Sequence, residues 1–302
     1  MEKINQGDLR KISNKVGLLF ILQIFSFGLI LPILSKVGIY NQSTNGFLFN
    51  MGFMLIIACL LFPCDFKKMF LREKKIDILE GVFYVFIFLS IYFPLAIIIS
   101  NLLSPLYSTS VVEKKFTMEM FILQGITIPV VEEIVYKGIL LENLRKYGNA
   151  FAIVISALIF GMMHGFRVIH SFAFGIFTGI IYIKTEQLSY PILFHFITDL
   201  FSMLILSWIN SFFTIENVNI GILILTIISM TIAFALYIIA KRKNYPEIKN
   251  IRAFQIKKII PQLKKDREKY KIFFQEGGII FSLIVFFIIT SMEVKLIISK
   301  LK

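Results

Sequence analysis

Nine stretches of the chain are apolar over roughly the 20 residues that a helix needs to cross a bilayer core of about 30 Å. Backbone polar groups in lipid must be satisfied within their own segment, so such stretches fold as helices. The sequence therefore predicts an all-α, polytopic transmembrane bundle of about eight spans, with a ninth, C-terminal apolar helix that spans or lies in the interface. The nine stretches are residues 16–34, 46–62, 79–103, 121–141, 150–164, 168–183, 190–208, 220–240 and 278–291.

The composition agrees with a membrane as the solvent. Of 302 residues, 57% are hydrophobic and only 17% are charged, which is too apolar for a solvated surface. The formal net charge of +13 does not indicate nucleic-acid binding, because the cations flank the apolar stretches, where they orient spans and meet anionic headgroups. We expect a lipid bilayer and no nucleic acid as a partner. Cys59 and Cys64 frame no disulfide scaffold.

The distribution of Lys and Arg predicts an orientation. Cations collect at the N-terminus, in 67–75, in 145–146 and after Lys241, and the Lys114 and Lys115 pair is the main exception to the alternation. The positive-inside rule then places the N-terminus in the cytoplasm of a multi-pass plasma-membrane protein. The first apolar stretch is longer than the apolar core of a signal peptide and lacks a small-residue cleavage site, which indicates an uncleaved span.

The same pattern divides the chain into three parts. Residues 1–240 form a membrane-embedded helical domain, within which 119–208 carries the polar motifs. Residues 241–276 form a basic cytoplasmic segment, partly an amphipathic helix that contacts headgroups. Residues 277–302 contain the last apolar helix.

Charged side chains at span depth are candidates for function because burying them in lipid is costly. The fourth stretch contains Glu132, Glu133 and Lys137, and each costs about 2.5–3.5 kcal/mol on the insertion scale, whereas each large apolar residue returns only about 0.3–0.6 kcal/mol. Its polar face must therefore meet protein or a cavity. Pro129 predicts a kink beside the acids. The spacing predicts ion pairing of Glu133 with Lys137 and pairing of Glu132 with Tyr136.

Two further stretches carry histidines. His164 ends the fifth stretch, and His195 and Asp199 lie one turn apart on one face of the seventh. The His195 and Asp199 pair by itself is compatible with mutual charge satisfaction or with a metal or proton site. His170, near Arg167, has no spaced partner and is interpreted as interfacial.

The polar side chains of the fourth, fifth and seventh stretches form three polar stripes. All three must avoid lipid, and the simplest packing lets them share one cavity. Such a cavity contains a base and imidazoles able to activate water and stabilise an oxyanion. Glu132, His164 and His195 could also bind a divalent metal such as Zn²⁺ with an open position, although no His-Glu-x-x-His string is present. The sequence leaves this choice open.

With these residues the chain resembles the CPBP family of intramembrane proteases, which includes CAAX prenyl endopeptidases and bacteriocin-processing relatives. That family carries three ordered motifs on separate transmembrane helices: Glu-Glu-x-x-x-Arg, Phe-x-x-x-His and His-x-x-x-Asn or Asp. The resemblance covers about 121–208. The matching residues here are Glu132, Glu133 and Lys137, then Phe160 and His164, then His195 and Asp199.

The resemblance implies roles for these residues. Glu132 and His164 would activate the hydrolytic water, and His195 with Asp199 would stabilise the oxyanion or complete the site. Glu133 would be the second, structural or assisting Glu.

Two positions depart from the prenyl-protein peptidases. Lys137 replaces Arg, so a planar fork becomes a point charge. Asp199 replaces Asn, and an ionised Asp cannot donate to an oxyanion, so it must be protonated, orient His195 or bind a metal. The resemblance thus favours a secreted, leader or signalling peptide over a prenylated protein as the substrate.

Two other functions fit the buried charges. One is a non-catalytic membrane scaffold, immunity or regulatory protein on the same fold. The other is an ion-coupled or proton-coupled transporter, although the sequence shows no internal repeat or paired broken helices. The first expectation remains an intramembrane endopeptidase that uses a Glu- and His-activated water.

Overall fold

The computed structural model describes residues 5–36, 44–70, 78–102, 117–118, 121–212, 215–242 and 266–301. Every secondary-structure element in these ranges is helical, which confirms the predicted all-α class. The α-helices are α1 Gln6–Phe25, α2 Leu31–Lys36, α3 Thr44–Leu61, α4 Phe66–Phe70, α5 Ile78–Leu102, α6 Ile128–Glu133, α7 Glu142–Leu144, α8 Asn149–Met162, α9 Val168–Thr185, α10 Ser189–Phe212, α11 Ile215–Arg242, α12 Arg267–Gln275 and α13 Gly277–Leu301.

Several segments have other helical geometries. The π-helical segments are π1 Ser26–Ile30, π2 Phe121–Thr127 and π3 Ile134–Leu141. Short 3₁₀ turns cover Arg145–Tyr147 and Gly165–Arg167. Residues 121–147, from π2 through α6, π3 and α7 to the first 3₁₀ turn, form one continuous helix, which we term the site helix.

Three of the described helices are long and apolar enough to cross a membrane by length and composition. They are Ile78–Ile99, Gly165–Thr185 and Gly277–Lys295. The last contains the predicted ninth stretch. Shorter apolar helices cover Leu48–Leu61, Asn149–Met162 and Leu223–Ile239. A helical membrane bundle follows, while the count of eight spans stays a prediction.

Hydrogen bonds between different helices place the basic segments at one end of the bundle. This end contains the N-terminal half of α1, the end of α3 with α4, the end of the site helix and the start of α10. Cationic residues from the N-terminus, 67–68 and 145–146 therefore share one end, as the positive-inside rule requires. That this end faces the cytoplasm stays a prediction. The bonds join Lys15 Nζ to the Leu61 carbonyl at 2.8 Å, Asn143 Nδ2 to the Pro63 carbonyl at 2.9 Å and Leu188 N–H to the Met69 carbonyl at 3.2 Å.

The C-terminal helix α13 packs closely on α1. A Cβ atom on Gly17 would overlap the backbone of Gly278, so the two helices approach at paired glycines, as membrane helices commonly do. Ser282 Oγ donates to the Gly17 carbonyl at 3.0 Å, and Gly278 N–H donates to Asn14 Oδ1 at 2.9 Å. The last apolar stretch is therefore built into the bundle.

The amphipathic helix expected in 241–276 is present as α12, and its apolar face contacts protein. Phe273 is fully buried, with its ring 5.8 Å from that of Phe151 in α8. Lys269 Nζ donates to the Tyr147 carbonyl and to the buried Asp266 carboxylate. Burial and the nearby Asp266 carboxylate raise the pKa of Tyr270 to about 12. Residues 243–265 of this segment lie outside the described residues.

Replacing Phe273 by Ala should destabilise the protein, because it leaves a cavity between α12 and α8. We expect a loss of about 3–5 kcal/mol, the range for buried Phe to Ala, measured by thermal unfolding in detergent. Phe281→Ala is the matched control, since that side chain is 53% exposed and should cost far less. Equal losses in the two variants would contradict the packing of α12.

Candidate active site

The two acids lie where the site helix changes geometry. Glu132 and Glu133 are the last residues of α6, and π3 begins at the next residue. Pro129 is the second residue of α6, just after π2 ends at Thr127, and it donates no backbone hydrogen bond to the preceding turn of the site helix. The expected departure from a regular helix is thus present on both sides of the acids, and π-helical turns of this kind are frequent at functional sites.

The wider turn of π3 changes which side chains meet. Its backbone bonds run from residue i to i+5, so side chains four apart no longer stack as in an α-helix. Within the described ranges Glu133 and Lys137 form no ion pair, and the predicted pair is wrong. Lys137 Nζ instead lies 5.2 Å from the centroid of the Phe160 ring, while interacting electrostatically with both acids.

The second predicted pair is also wrong. Tyr136 is almost fully buried, and its hydroxyl donates to Gln23 Oε1 of α1 at 3.2 Å rather than to Glu132. The Glu132 carboxylate therefore accepts no hydrogen bond from Tyr136, and its oxygens can interact with side chains of another helix.

His195 is the centre of the site. Its Nδ1 lies 2.9 Å from Glu133 Oε1, and because a carboxylate only accepts, Nδ1 carries the proton. On the other side of the ring, Nε2 lies 3.5 Å from Asp199 Oδ2 and 3.8 Å from Glu132 Oε2. One imidazole from α10 thus meets two acids of the site helix and one acid of its own helix.

Burial differs among these acids. Glu133 is fully buried and His195 is 5% exposed, whereas the side chain of Asp199 is 33% exposed and that of Glu132 is 12% exposed. Glu133 is therefore placed to hold the imidazole, and Glu132 and Asp199 lie on the side that a substrate can reach.

His164 lies just after the end of α8, and a hydrogen bond holds its side chain against that helix. Its Nδ1 lies 2.8 Å from the carbonyl oxygen of Phe160, one turn earlier in α8. A carbonyl can only accept, so Nδ1 donates, and in the neutral imidazole Nε2 presents a lone pair. The bond therefore prepares Nε2 to accept a proton or to hold a water molecule.

Phe160 joins the two histidines. Its ring centroid lies 4.6 Å from that of His164 and 6.1 Å from that of His195, and the two imidazoles interact electrostatically. Phe174 of α9 contacts His195 from another side, with centroids 4.5 Å apart. The three polar stripes of the sequence therefore converge, as predicted, and aromatic rings form the apolar walls between them.

His170 has no partner at a helical spacing in the sequence, and the structure gives it a long-range partner. The Tyr92 hydroxyl of α5 lies 2.7 Å from His170 Nε2, and the Tyr92 ring packs on Phe174 with centroids 5.5 Å apart. A contact between residues 78 positions apart leaves no local spacing signal, so sequence reasoning could not find it. Phe174 and Tyr92 are thus missed neighbours of the site.

The possible zinc site predicted from the sequence would use side chains of this same cluster. Across the described residues, no group of three His, Cys, Asp or Glu side chains is arranged to hold a metal ion. Glu132, His164 and His195 stay a predicted set of zinc ligands without further support.

Residues 114–201 match the model of a family described as type II CAAX prenyl endopeptidase Rce1-like. The matched segment encloses the site helix, His164, His195 and Asp199, and the match confirms the resemblance to the CPBP family of CAAX-type intramembrane proteases. It leaves out α1 to α5 and α11 to α13. No curated protein and no solved structure matches the chain.

Removing the Glu133 carboxylate should free His195. In Glu133→Ala the Nδ1–H loses its buried acceptor, so we expect stability to fall by about 1–3 kcal/mol, measured by thermal unfolding. Glu186→Ala is the control, because that carboxylate is in a partly exposed ion pair with Arg145 at 2.9 Å and should cost about 1 kcal/mol or less. A Glu133→Ala variant as stable as the control would contradict the role given to this bond.

Proposed function

We propose that the protein is a CAAX-type intramembrane protease that hydrolyses a peptide bond of a membrane-associated or secreted substrate with a water activated by Glu132. The observation that carries the proposal is the position of His195, which is oriented through Nδ1 by Glu133 and points Nε2 toward Glu132 and Asp199. A merely structural charge cluster needs no imidazole nitrogen turned to its accessible side.

The first step is attack by water. The 3.8 Å between Glu132 Oε2 and His195 Nε2 is too long for a direct hydrogen bond and is a distance that one water can bridge. Glu132 accepts a proton from that water as its oxygen attacks the scissile carbonyl carbon. The Nε2 lone pair of His164 provides a second acceptor that helps to orient the water.

The second step is stabilisation of the tetrahedral intermediate. With both ring nitrogens protonated, His195 keeps its Nδ1–H on Glu133 and donates from Nε2–H to the oxyanion. Asp199 Oδ2, 3.5 Å from Nε2, balances the charge of the imidazolium and fixes the plane of its ring. Of the three roles that the sequence allows for Asp199 (a protonated donor, orientation of His195 or metal binding), we propose orientation of His195.

Collapse of the intermediate completes the reaction. The proton held by Glu132 passes to the nitrogen of the scissile bond, the C–N bond breaks, and a carboxylic acid and an amine leave. Glu132 thereby acts first as a base and then as an acid, a sequence that a partly buried carboxylate supports. The steps require no residue beyond those that converge in the structure.

The surroundings of the site support an apolar or membrane-bound substrate. Phe160 and Phe174 line the imidazoles, and the site belongs to helices of a membrane bundle, so a substrate reaches it as an apolar or membrane-bound segment. We propose a secreted, leader or signalling peptide, processed at the plasma membrane, in preference to a prenylated protein. The presence of Asp199 in place of Asn supports this choice.

Cleavage should depend on Glu132 and His164. With candidate leader peptides co-expressed or offered to purified protein, we expect Glu132→Gln and His164→Ala to lower cleavage by about 10²-fold or more, the usual contribution of a general base. Glu268→Gln on α12, where the exposed carboxylate accepts from Gln6 at the start of α1, serves as a folded control with normal activity. A biological effect that persists in both site variants would favour a non-catalytic scaffold, and ion flux in proteoliposomes would favour a transporter.

Metal dependence is tested separately. Because the proposed activation of water by Glu132 uses no metal ion, we expect cleavage to continue unchanged after dialysis against EDTA and 1,10-phenanthroline. A loss that Zn²⁺ restores would instead assign zinc to Glu132, His164 and His195.

A further inference from the structure

A carboxylate from the C-terminal helix reaches the turn that carries His164. Glu293 of α13 accepts a hydrogen bond from the backbone N–H of Phe166, with 3.1 Å between Oε2 and N. The two residues are 127 positions apart, and Glu293 is outside the 114–201 family match. The contact therefore joins a helix that the match does not cover to the candidate active site.

The turn between α8 and α9 determines the direction of the His164 side chain. His164 N–H donates to the Gly161 carbonyl at 3.0 Å, and the His164 carbonyl accepts from Arg167 N–H at 3.2 Å. Gly165 follows with a φ of +57°, in the left-handed region that favours glycine. His164 thus lies at a sharp reversal of the backbone, and a shift of this turn would move its imidazole.

Glu293 satisfies a backbone group that the helix cannot satisfy itself. Phe166 is in the 3₁₀ turn at the start of α9, where the first N–H groups have no acceptor within their own helix. A carboxylate at this end also interacts favourably with the helix dipole. The acid therefore fixes the N-terminal end of α9 and, through it, the turn.

Gly165 leaves the space that the carboxylate occupies. A Cβ atom on Gly165 would overlap the Glu293 carboxylate. The acid is therefore seated directly against the backbone of the residue that follows His164. Glu293 lies near the C-terminal end of the candidate span Gly277–Lys295, beyond the apolar stretch 278–291.

We infer that Glu293 is a positioning residue, which holds the turn at 164–167 so that His164 Nε2 faces the reacting water. The inference rests on the proposed role of His164 and adds α13 to the working enzyme. Glu293 acts through the backbone and touches no reacting atom.

Kinetics of Glu293 variants test this role. In Glu293→Ala we expect kcat to fall on the order of 10- to 100-fold, the effect of a displacement of about 1 Å, with KM little changed. Glu293→Gln keeps an oxygen that accepts from Phe166 N–H, so it should restore most of kcat. Glu276→Ala is the control, because it removes hydrogen bonds between helices at the other end of α13, where Glu276 accepts from Arg10 at 3.1 Å and from Asn14 at 2.9 Å. This variant should leave kcat unchanged.

A spectroscopic measurement tests the inference without any substrate. The chain has 3 histidines, so ¹³Cε1-histidine labelling in detergent gives three signals, which single His→Gln variants assign. We expect Glu293→Ala to shift or broaden the His164 signal and to leave the His195 signal in place, while Glu276→Ala shifts neither.

The two measurements separate the possible failures. If no substrate is cleaved by the unmodified protein but the His164 signal responds to Glu293→Ala, the positioning role stands and the proposed hydrolysis fails. If the protein cleaves, and Glu293→Ala changes neither kcat nor the His164 signal, the positioning role is overturned. Equal losses of kcat in Glu293→Ala and Glu276→Ala would also overturn it, since they would show only a loss of helix packing.

Discussion

The hydrogen bond between Glu133 and His195 is the contact on which the arrangement of the site depends. A fully buried carboxylate needs a partner, because an isolated charge in an apolar interior is strongly unfavourable. Here the partner comes from α10, 62 positions further along the chain. By satisfying Glu133, the bond joins the site helix to α10 and sets the plane and the tautomer of the imidazole. The distances of Nε2 to Glu132 and Asp199 follow from that orientation.

The two histidines of the site are oriented by different acceptors, and this difference supports different roles. His164 donates through Nδ1 to a backbone carbonyl, so its other nitrogen is an acceptor in the neutral ring. His195 donates through Nδ1 to a carboxylate, and carboxylates near Nε2 favour a donor on that side as well. One imidazole is thereby suited to orient water and the other to stabilise an oxyanion. Phe160 contacts both rings and keeps them in one apolar enclosure.

The helices outside the family match form a frame around this centre. Gln23 of α1 accepts from Tyr136 in the site helix, Tyr92 of α5 bonds to His170 beside the aromatic wall, and α13 packs on α1 at Gly17. The residues that match the family model are thus held by contacts with helices that the match does not cover. In a membrane, where apolar burial does not distinguish one helix pairing from another, such polar contacts and close glycine approaches determine which helices become neighbours.

The sequence by itself determined the helical class, the basic end of the bundle and the three polar stripes, because apolar length, charge flanks and costly buried ions are local properties of a segment. It also predicted that Glu132, His164, His195 and Asp199 belong together. It failed on the partners: α-helical spacing assigned Glu133 to Lys137, and π3 removed that spacing. Only the tertiary structure decided that His195 holds Glu133, that His170 meets Tyr92 and that Glu293 reaches the turn after His164. Each of these contacts joins residues from different helices, and the packing of a whole bundle selects such pairs for reasons that no single stretch of sequence contains.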